Sequence, residues 1–307
     1  MKYNKKPLTF EEQADILISR GLIADRDFLI SCLKAVNYYR ITGYLYTFRK
    51  NNSDLLHDGT HFSTIWNRYT FDRRLRFLVM DAIERIEVSV RTRAVYYFAH
   101  TYGKFNYTNN LYFPHLSPTE HYQWLNKLEM ETKRSREIFI THFNNKYGND
   151  HAHLPIWVLA EIMSFGSLLK MYNGLHAKMK RKLAGVYKIP DKVLTSWLLA
   201  IYSIRNICAH HGRLWNKELC NKPLLPSNKN KYPEWQLPIN LYNHTNRVFI
   251  ILTILNYLLK IIAPQSRWSD RFLCLLNEYK DIPIKYMGFP DNWKTCPIWK
   301  PSDMENK

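Results

Sequence analysis

An arginine and a histidine stand five residues apart in the second half of the chain, at Arg205 and His210. A guanidinium stays charged and pairs with two phosphate oxygens at once, and an imidazole can act as general base or general acid near neutral pH. Such groups can cut RNA without a metal. A base takes the 2′-hydroxyl proton, an acid protonates the 5′-oxygen, and a cation stabilises the phosphorane. The pair therefore indicates phosphodiester chemistry.

The neighbours of this pair fit the same chemistry and also a purely structural alternative. Asn206 precedes His210 by four residues, so the amide and the imidazole share one helical face, and His211 adds a second imidazole directly before Gly212. A helix that ends in this way can also use its cations only to satisfy the last carbonyls. Spacing by itself does not decide between a catalytic cluster and a C-cap.

The elements around the cluster are predicted from periodicity and from capping patterns. The helix that carries it is predicted to be capped by Asp191 and ended by Gly212, with a buried stripe at helical spacing that comprises Val193, Leu194, Trp197, Leu198, Ile201 and Ile204. No strand pattern stands out, so the predicted class is all-α. Further helices are predicted between Thr9 and Gly21, at 28–36, at 62–99 as one helix or a broken pair, at 121–143, at 156–172, at 242–262 and after Gln265.

Turn-rich stretches suggest three regions. Residues 1–60 form a small helical and aromatic N-terminal subdomain, residues 61–217 form the helical core with the Arg-His motif, and residues 218–307 form a proline-containing loop and a helical C-terminal extension. The apolar run from Val248 to Leu259 is too short to span a bilayer. We expect it to be a buried helix.

The charge balance favours a polyanionic partner. The 307 residues include 44 Lys and Arg against 26 Asp and Glu, which gives a net charge of +18, and a hydrophobic fraction of 46% is ample for a core. Nucleic acid is favoured over an anionic membrane, because neither a basic amphipathic helix nor a lipidation site is evident. The cluster Lys178, Lys180, Arg181 and Lys182 can bind an RNA backbone or can be a solvated basic loop.

Other side chains could contact RNA or a metal, with structural alternatives in each case. Tyr38, Tyr39 and Arg40 could hold unpaired bases or could be packing residues, and Arg213 is a further candidate for RNA binding. The pair His151 and His153 lacks a convincing set of further ligands, so no metal site and no cofactor are predicted. Five scattered cysteines and a basic, polar N-terminus favour a reducing cytoplasm over secretion.

Five stretches in order resemble the Abi-like abortive-infection family (AbiD and AbiF types). The segment 205–216 resembles both the RN-x3-H motif of HEPN nucleases and the family's "CAHHxRLWN" signature, and the other similar stretches are 6–13, 37–44, 82–88 and 155–166. The resemblance covers residues 6 to about 220. Beyond residue 240 it is loose.

The resemblance implies a fold, an activity and a site. It implies an all-α, HEPN-type helical bundle that acts as an anti-phage toxin in the bacterial cytoplasm, by metal-independent cleavage of RNA to 2′,3′-cyclic phosphates. Arg205, Asn206, His210 and His211 would be the active-site residues. Because two HEPN motifs usually meet across a dimer, the single copy implies a homodimer, and family members can be restrained by an antitoxin or a structured noncoding RNA. The alternatives are a non-catalytic RNA-binding protein of a defence complex and a module that binds phage proteins.

Overall fold

The chain folds into helices wherever regular structure is described. The computed structural model describes residues 6–228, 230–236 and 246–300, and its elements there are α- and 3₁₀-helices with isolated β-bridges. This confirms the all-α prediction. The α-helices are α1 (Phe10–Ser19), α2 (Arg26–Ala35), α3 (Tyr38–Leu45), α4 (Phe62–Tyr102), α5 (Pro118–Arg134), α6 (Ile138–Tyr147), α7 (Ile156–Ile162), α8 (Phe165–Gly174), α9 (Ala177–Val186), α10 (Asp191–Ala209), α11 (Val248–Ile262) and α12 (Trp268–Glu278).

The first three helices, with residues up to 60, form an N-terminal unit. Its buried side chains make a separate hydrophobic cluster that also takes in Phe62 and Ile65 at the start of α4. Thr9 forms the predicted capping box with Glu12. Gly43 lies inside α3, which begins at an Asn37 cap. A glycine is tolerated there because α3 packs against α4.

The long helix α4 is the spine of the main bundle. It is one continuous helix of 41 residues, and its apolar stripe is buried as predicted. Several arginines of this helix form ion pairs with carboxylates four residues before them. Arg76 is buried with Asp72, Arg85 pairs with Asp81, and Arg91 pairs with Glu87.

Two predicted helices are each divided. The stretch 121–143 breaks at Ser135–Glu137, and the stretch 156–172 breaks at Met163 and Ser164. The second break has a clear local cause, since the Ser164 hydroxyl accepts a hydrogen bond from the Ser167 amide and caps α8. The basic cluster 178–182 lies on helix α9 rather than in a loop.

The C-terminal helices share the hydrophobic core of α4 and α10. Residues 248–259 of α11 are all buried, which confirms the buried helix; the predicted first residues 242–245 lie outside the described residues. The aromatic tail closes over α11, where Trp299 donates to the Thr253 hydroxyl at 3.0 Å. Among the described helices, none combines the length and apolarity that a bilayer span requires.

Candidate active site

The predicted site lies at the end of α10. The stripe that begins at Val193 is buried as expected. The helix starts at Asp191, but the N-cap is Pro190 and Asp191 makes no capping hydrogen bond. The helix ends at Ala209, three residues before the predicted glycine. The motif therefore occupies the last turn and the loop that follows.

A Schellman turn ends the helix, and a histidine takes the position usually given to glycine. His211 adopts a left-handed φ of 57°. Its amide donates to the Cys208 carbonyl at 3.0 Å, and the Gly212 amide donates to the Ile207 carbonyl at 2.7 Å. Gly212 is needed for a different reason, because a Cβ there would lie 3.0 Å from Ile207 Cγ2 and 3.1 Å from its oxygen.

The four predicted catalytic residues are brought to this helix end. Arg205 and Asn206 are half-buried in the last turns of α10, whereas His210 and His211 are exposed. The His210 amide donates to the Asn206 carbonyl at 3.0 Å, so the C-cap residue stays attached to the helix. His210 and His211 are therefore exposed to solvent at the end of the helix whose last turns carry Arg205 and Asn206.

A carboxylate on α4 contributes to the environment of Arg205. Burial raises the pKa of Glu87 above its usual value, while Arg91 and Arg205 act in the opposite direction through their charges. Arg91 donates to Glu87 and also to the Met163 carbonyl, the latter at 2.9 Å. Glu87 thus forms its ion pair with Arg91 and interacts with Arg205 through charge. Arg85 pairs with Asp81.

A buried carboxylate fixes the segment after the histidines. Asp72 is fully buried and accepts hydrogen bonds from the amides of Leu214 (3.2 Å) and Trp215 (2.6 Å). It also accepts from the Tyr44 hydroxyl at 2.5 Å and from Arg76 at 2.6 Å. Burial raises the pKa of Asp72, and these donors oppose that effect.

The hydrogen bonds that Asp72 accepts were not predicted, although the sequence carries a signal for a buried polar network. Arg68, Asp72 and Arg76 follow one another at intervals of four along the apolar stripe of α4. All three are buried. Charges of alternating sign on an apolar helical face predict a buried polar network, because an unpaired charge would be too costly there.

The N-terminal unit contacts the same segment. Arg40 donates to the His211 carbonyl and Arg213 donates to the Gly43 carbonyl. Tyr38 is half-buried, and its hydroxyl accepts from Arg20 at 3.0 Å. Tyr39 is 72% exposed. RNA contacts by these four residues remain predictions; the structure places Arg40 and Arg213 in intramolecular contacts.

The basic cluster on α9 is only partly free to reach a ligand. Lys178 and Arg181 are exposed. Lys180 donates to the Asn173 carbonyl at 2.6 Å, and burial lowers its pKa. The Lys182 ammonium lies 4.2 Å from the centre of the Tyr97 ring.

The Ser-Phe-Gly segment that starts α8 supports the motif helix from one side. The Phe165 ring packs edge-on against Tyr202 of α10, with ring centres 5.7 Å apart. A Cβ on Gly166 would lie 3.2 Å from the Tyr202 hydroxyl, so the glycine allows this close approach.

Histidines and cysteines outside the motif have other surroundings. The rings of His151 and His153 pack against Phe105 and Tyr107. Within the described ranges, no group of three or more His, Cys, Asp or Glu residues is arranged to hold a metal. Burial raises the pKa of Cys208, inside the motif, to about 12. This thiol therefore stays protonated at neutral pH and is not a nucleophile.

Comparison with known proteins identifies the family. No curated protein and no solved structure matches the chain. The profile of the family described as "Abi-like protein" matches residues 31–216. That range runs from α2 to the segment held by Asp72 and covers more than half of the chain. The chain therefore belongs to the Abi-like protein family.

Proposed function

We propose that this protein is a metal-independent endoribonuclease of the HEPN type, which acts as an abortive-infection toxin in the bacterial cytoplasm. The observation that carries the proposal is the end of α10, where exposed His210 follows half-buried Arg205 and Asn206. An exposed site suits a polymer, because an RNA strand must reach it from outside.

Each residue has a chemical role in this proposal. Arg205 binds the scissile phosphate and stabilises the charge that develops on the phosphorane. His210 transfers the proton, either as base from the 2′-hydroxyl or as acid to the 5′-oxygen. The 2′-oxygen bonds to phosphorus and the 5′-oxygen leaves with a proton, which gives a 2′,3′-cyclic phosphate and a 5′-hydroxyl. Asn206 orients the His210 imidazole, and His211 assists.

A homodimer would complete the site. One chain carries a single motif, and one imidazole cannot be base and acid in the same step. Two copies of His210 across a dimer axis would divide these roles. We expect a dimer mass in analytical ultracentrifugation.

The net charge of +18 supports RNA as both substrate and restraint. A toxin must be held inactive in a healthy cell, and a structured noncoding RNA is a suitable polyanion. Such binding would weaken steeply as the salt concentration rises. A protein antitoxin is the other form of restraint that the family implies.

The test is cleavage of an RNA pool by purified protein freed of bound nucleic acid. We expect cleavage to persist in EDTA and the products to carry 2′,3′-cyclic phosphate ends. Arg205→Ala and His210→Ala should each lower the rate by about 10²-fold or more while the melting temperature stays close to that of the wild type. His57→Ala, which changes an exposed histidine of the N-terminal unit, is the matched control.

The alternative is a non-catalytic protein in which the motif only binds phosphate. It also predicts strong, salt-sensitive RNA binding. It would be favoured if the wild-type protein retained RNA whose 3′ ends did not change in His210→Ala. If the purified protein neither cleaved the RNA pool nor bound RNA, both the ribonuclease and the RNA-binding hypothesis would be contradicted. A protein partner would then be favoured.

A further inference from the structure

Residues 37–44 of the N-terminal unit contact the loop that carries the histidines. We call residues 210–215 the catalytic loop. Asn37 caps α3, the helix that contains residues 38–44. Arg40 donates to the His211 carbonyl, and the Gly43 carbonyl accepts from Arg213. The Tyr44 hydroxyl binds Asp72, which holds the other end of the loop.

These hydrogen bonds join parts of the chain that are remote in sequence. The Arg40 and Arg213 bonds span 171 and 170 residues. In one bond the N-terminal unit supplies the donor, and in the other the catalytic loop supplies it. Arg68 adds a further link, since its guanidinium lies 4.0 Å from the Phe48 ring centre and 5.0 Å from that of Trp215. Several such contacts restrain rotation of the loop against α3.

The residue that Arg40 contacts has a left-handed backbone. His211 holds a φ of 57°, a conformation that is disfavoured for residues with a Cβ. Arg40 binds the carbonyl of that residue, and Arg76 binds the next one, at Gly212, at 3.3 Å. Since His210 directly precedes this turn, the orientation of its imidazole depends on the turn being held.

We infer that Arg40 is a positioning residue, through which the docked N-terminal unit fixes the catalytic loop and thereby aims His210 at the scissile bond. This inference rests on the proposed ribonuclease function. It assigns Arg40 to the protein's own loop rather than to RNA. The N-terminal unit is then required for the rate of cleavage, although it contributes no group to the chemistry.

The test compares Arg40→Ala, Arg40→Lys and Lys34→Ala in the full-length protein. Lys34→Ala removes the same charge from an exposed site on α2 of the same unit. Under single-turnover conditions we expect Arg40→Ala to lower the cleavage rate by about tenfold or more, with the RNA dissociation constant within about twofold of wild type. Arg40→Lys keeps one donor and should recover part of the rate. Lys34→Ala should behave as wild type.

A structural readout separates this inference from the proposed function. Amide hydrogen exchange of peptides covering the catalytic loop should accelerate in Arg40→Ala and in Arg213→Ala, but not in Lys34→Ala. Melting temperatures identify any variant that fails to fold. If Arg40→Ala does not fold, Arg40→Lys is compared with wild type in its place. If the wild-type protein cleaves no RNA, the proposed function fails, and faster loop exchange would still support the docking contact.

One set of results would overturn the inference while leaving the ribonuclease intact. In that case wild type cleaves RNA, and Arg40→Ala keeps its single-turnover rate and its loop exchange. Weaker RNA binding by Arg40→Ala, together with a shallower salt dependence, would then assign Arg40 to direct contact with RNA.

Discussion

At the scale of single residues, Asp72 links three parts of the molecule through one carboxylate. It binds Tyr44 of the N-terminal unit, Arg76 of its own helix, and the amides of Leu214 and Trp215. A fully buried charge is tolerated only when such donors replace the water it has lost. Loss of the carboxylate would leave Arg76 buried without its counter-ion and two amides without their acceptor.

Asp72→Ala is therefore expected to lower the free energy of unfolding by about 3–5 kcal/mol, as measured by urea denaturation. The matched control is Asp81→Ala on the same helix. Asp81 pairs with Arg85 and Arg271 at a site where its side chain is 29% exposed, so its loss should cost less than about 1 kcal/mol. Equal losses for the two variants would show that the Asp72 network adds little stability.

At the scale of elements, the end of α10 determines where the imidazoles stand. The Schellman turn places His211 in the left-handed region and brings Gly212 against Ile207. The two residues have separate requirements. His211 must be kept in the left-handed conformation, and Gly212 must lack a Cβ because Ile207 lies too close. A sequence rule that assigns the left-handed position to the nearest glycine is wrong here by one residue, because the His211 amide donates to the Cys208 carbonyl and the Gly212 amide to the Ile207 carbonyl.

Gly212→Ala tests the second requirement. The added Cβ would meet Ile207, so we expect the free energy of unfolding to fall by about 1–3 kcal/mol and cleavage to fall with it, because the turn must shift. Gly185→Ala is the control, since Gly185 lies within α9 and nothing stands within 4 Å of a Cβ there. It should raise stability by about 0.5–1 kcal/mol, as followed by thermal melting. The prediction fails if Gly212→Ala also stabilises the protein.

At the scale of the whole molecule, the net charge is +18. Some of the basic side chains form ion pairs, whereas others are exposed and available to a ligand. Many arginines of α4 are paired or buried. On α9, by contrast, Lys178 and Arg181 are exposed. Helix α9 packs against both α4 and α10. This makes it a surface on which an RNA could be held close to the motif helix.

The double variant Lys178→Ala, Arg181→Ala is expected to weaken RNA binding and to reduce the slope of log K against log salt by about 1.4 units, about 0.7 for each lost phosphate contact. Fluorescence anisotropy with a single-stranded RNA at several salt concentrations measures this slope. The matched control is Lys127→Ala, Lys133→Ala on α5, where both lysines pair with glutamates. If both double variants change the slope equally, the binding depends on net charge and not on α9.

Features that depend on residues close together along the chain could be predicted without the fold. The stripe from Val193 to Ile204 predicted α10, the pair Thr9 and Glu12 predicted the first cap, and the run 248–259 predicted a buried helix. Arg205, Asn206 and His210 fall on one helix end because they are neighbours along the chain. Local periodicity and capping are properties of a few consecutive residues, so they can be read without the fold.

The groups that surround that helix end come from remote parts of the chain and could not be predicted from local patterns. The contacts of Arg40 and Arg213 span about 170 residues, and those of Asp72 with Leu214 and Trp215 span about 140. No local spacing encodes them. The same contacts put Arg40 on a backbone carbonyl and allow His211 its left-handed turn. The physical reason is that hydrogen bonds between remote segments form only after α3, α4 and α10 have packed together, and their geometry then overrides local preference.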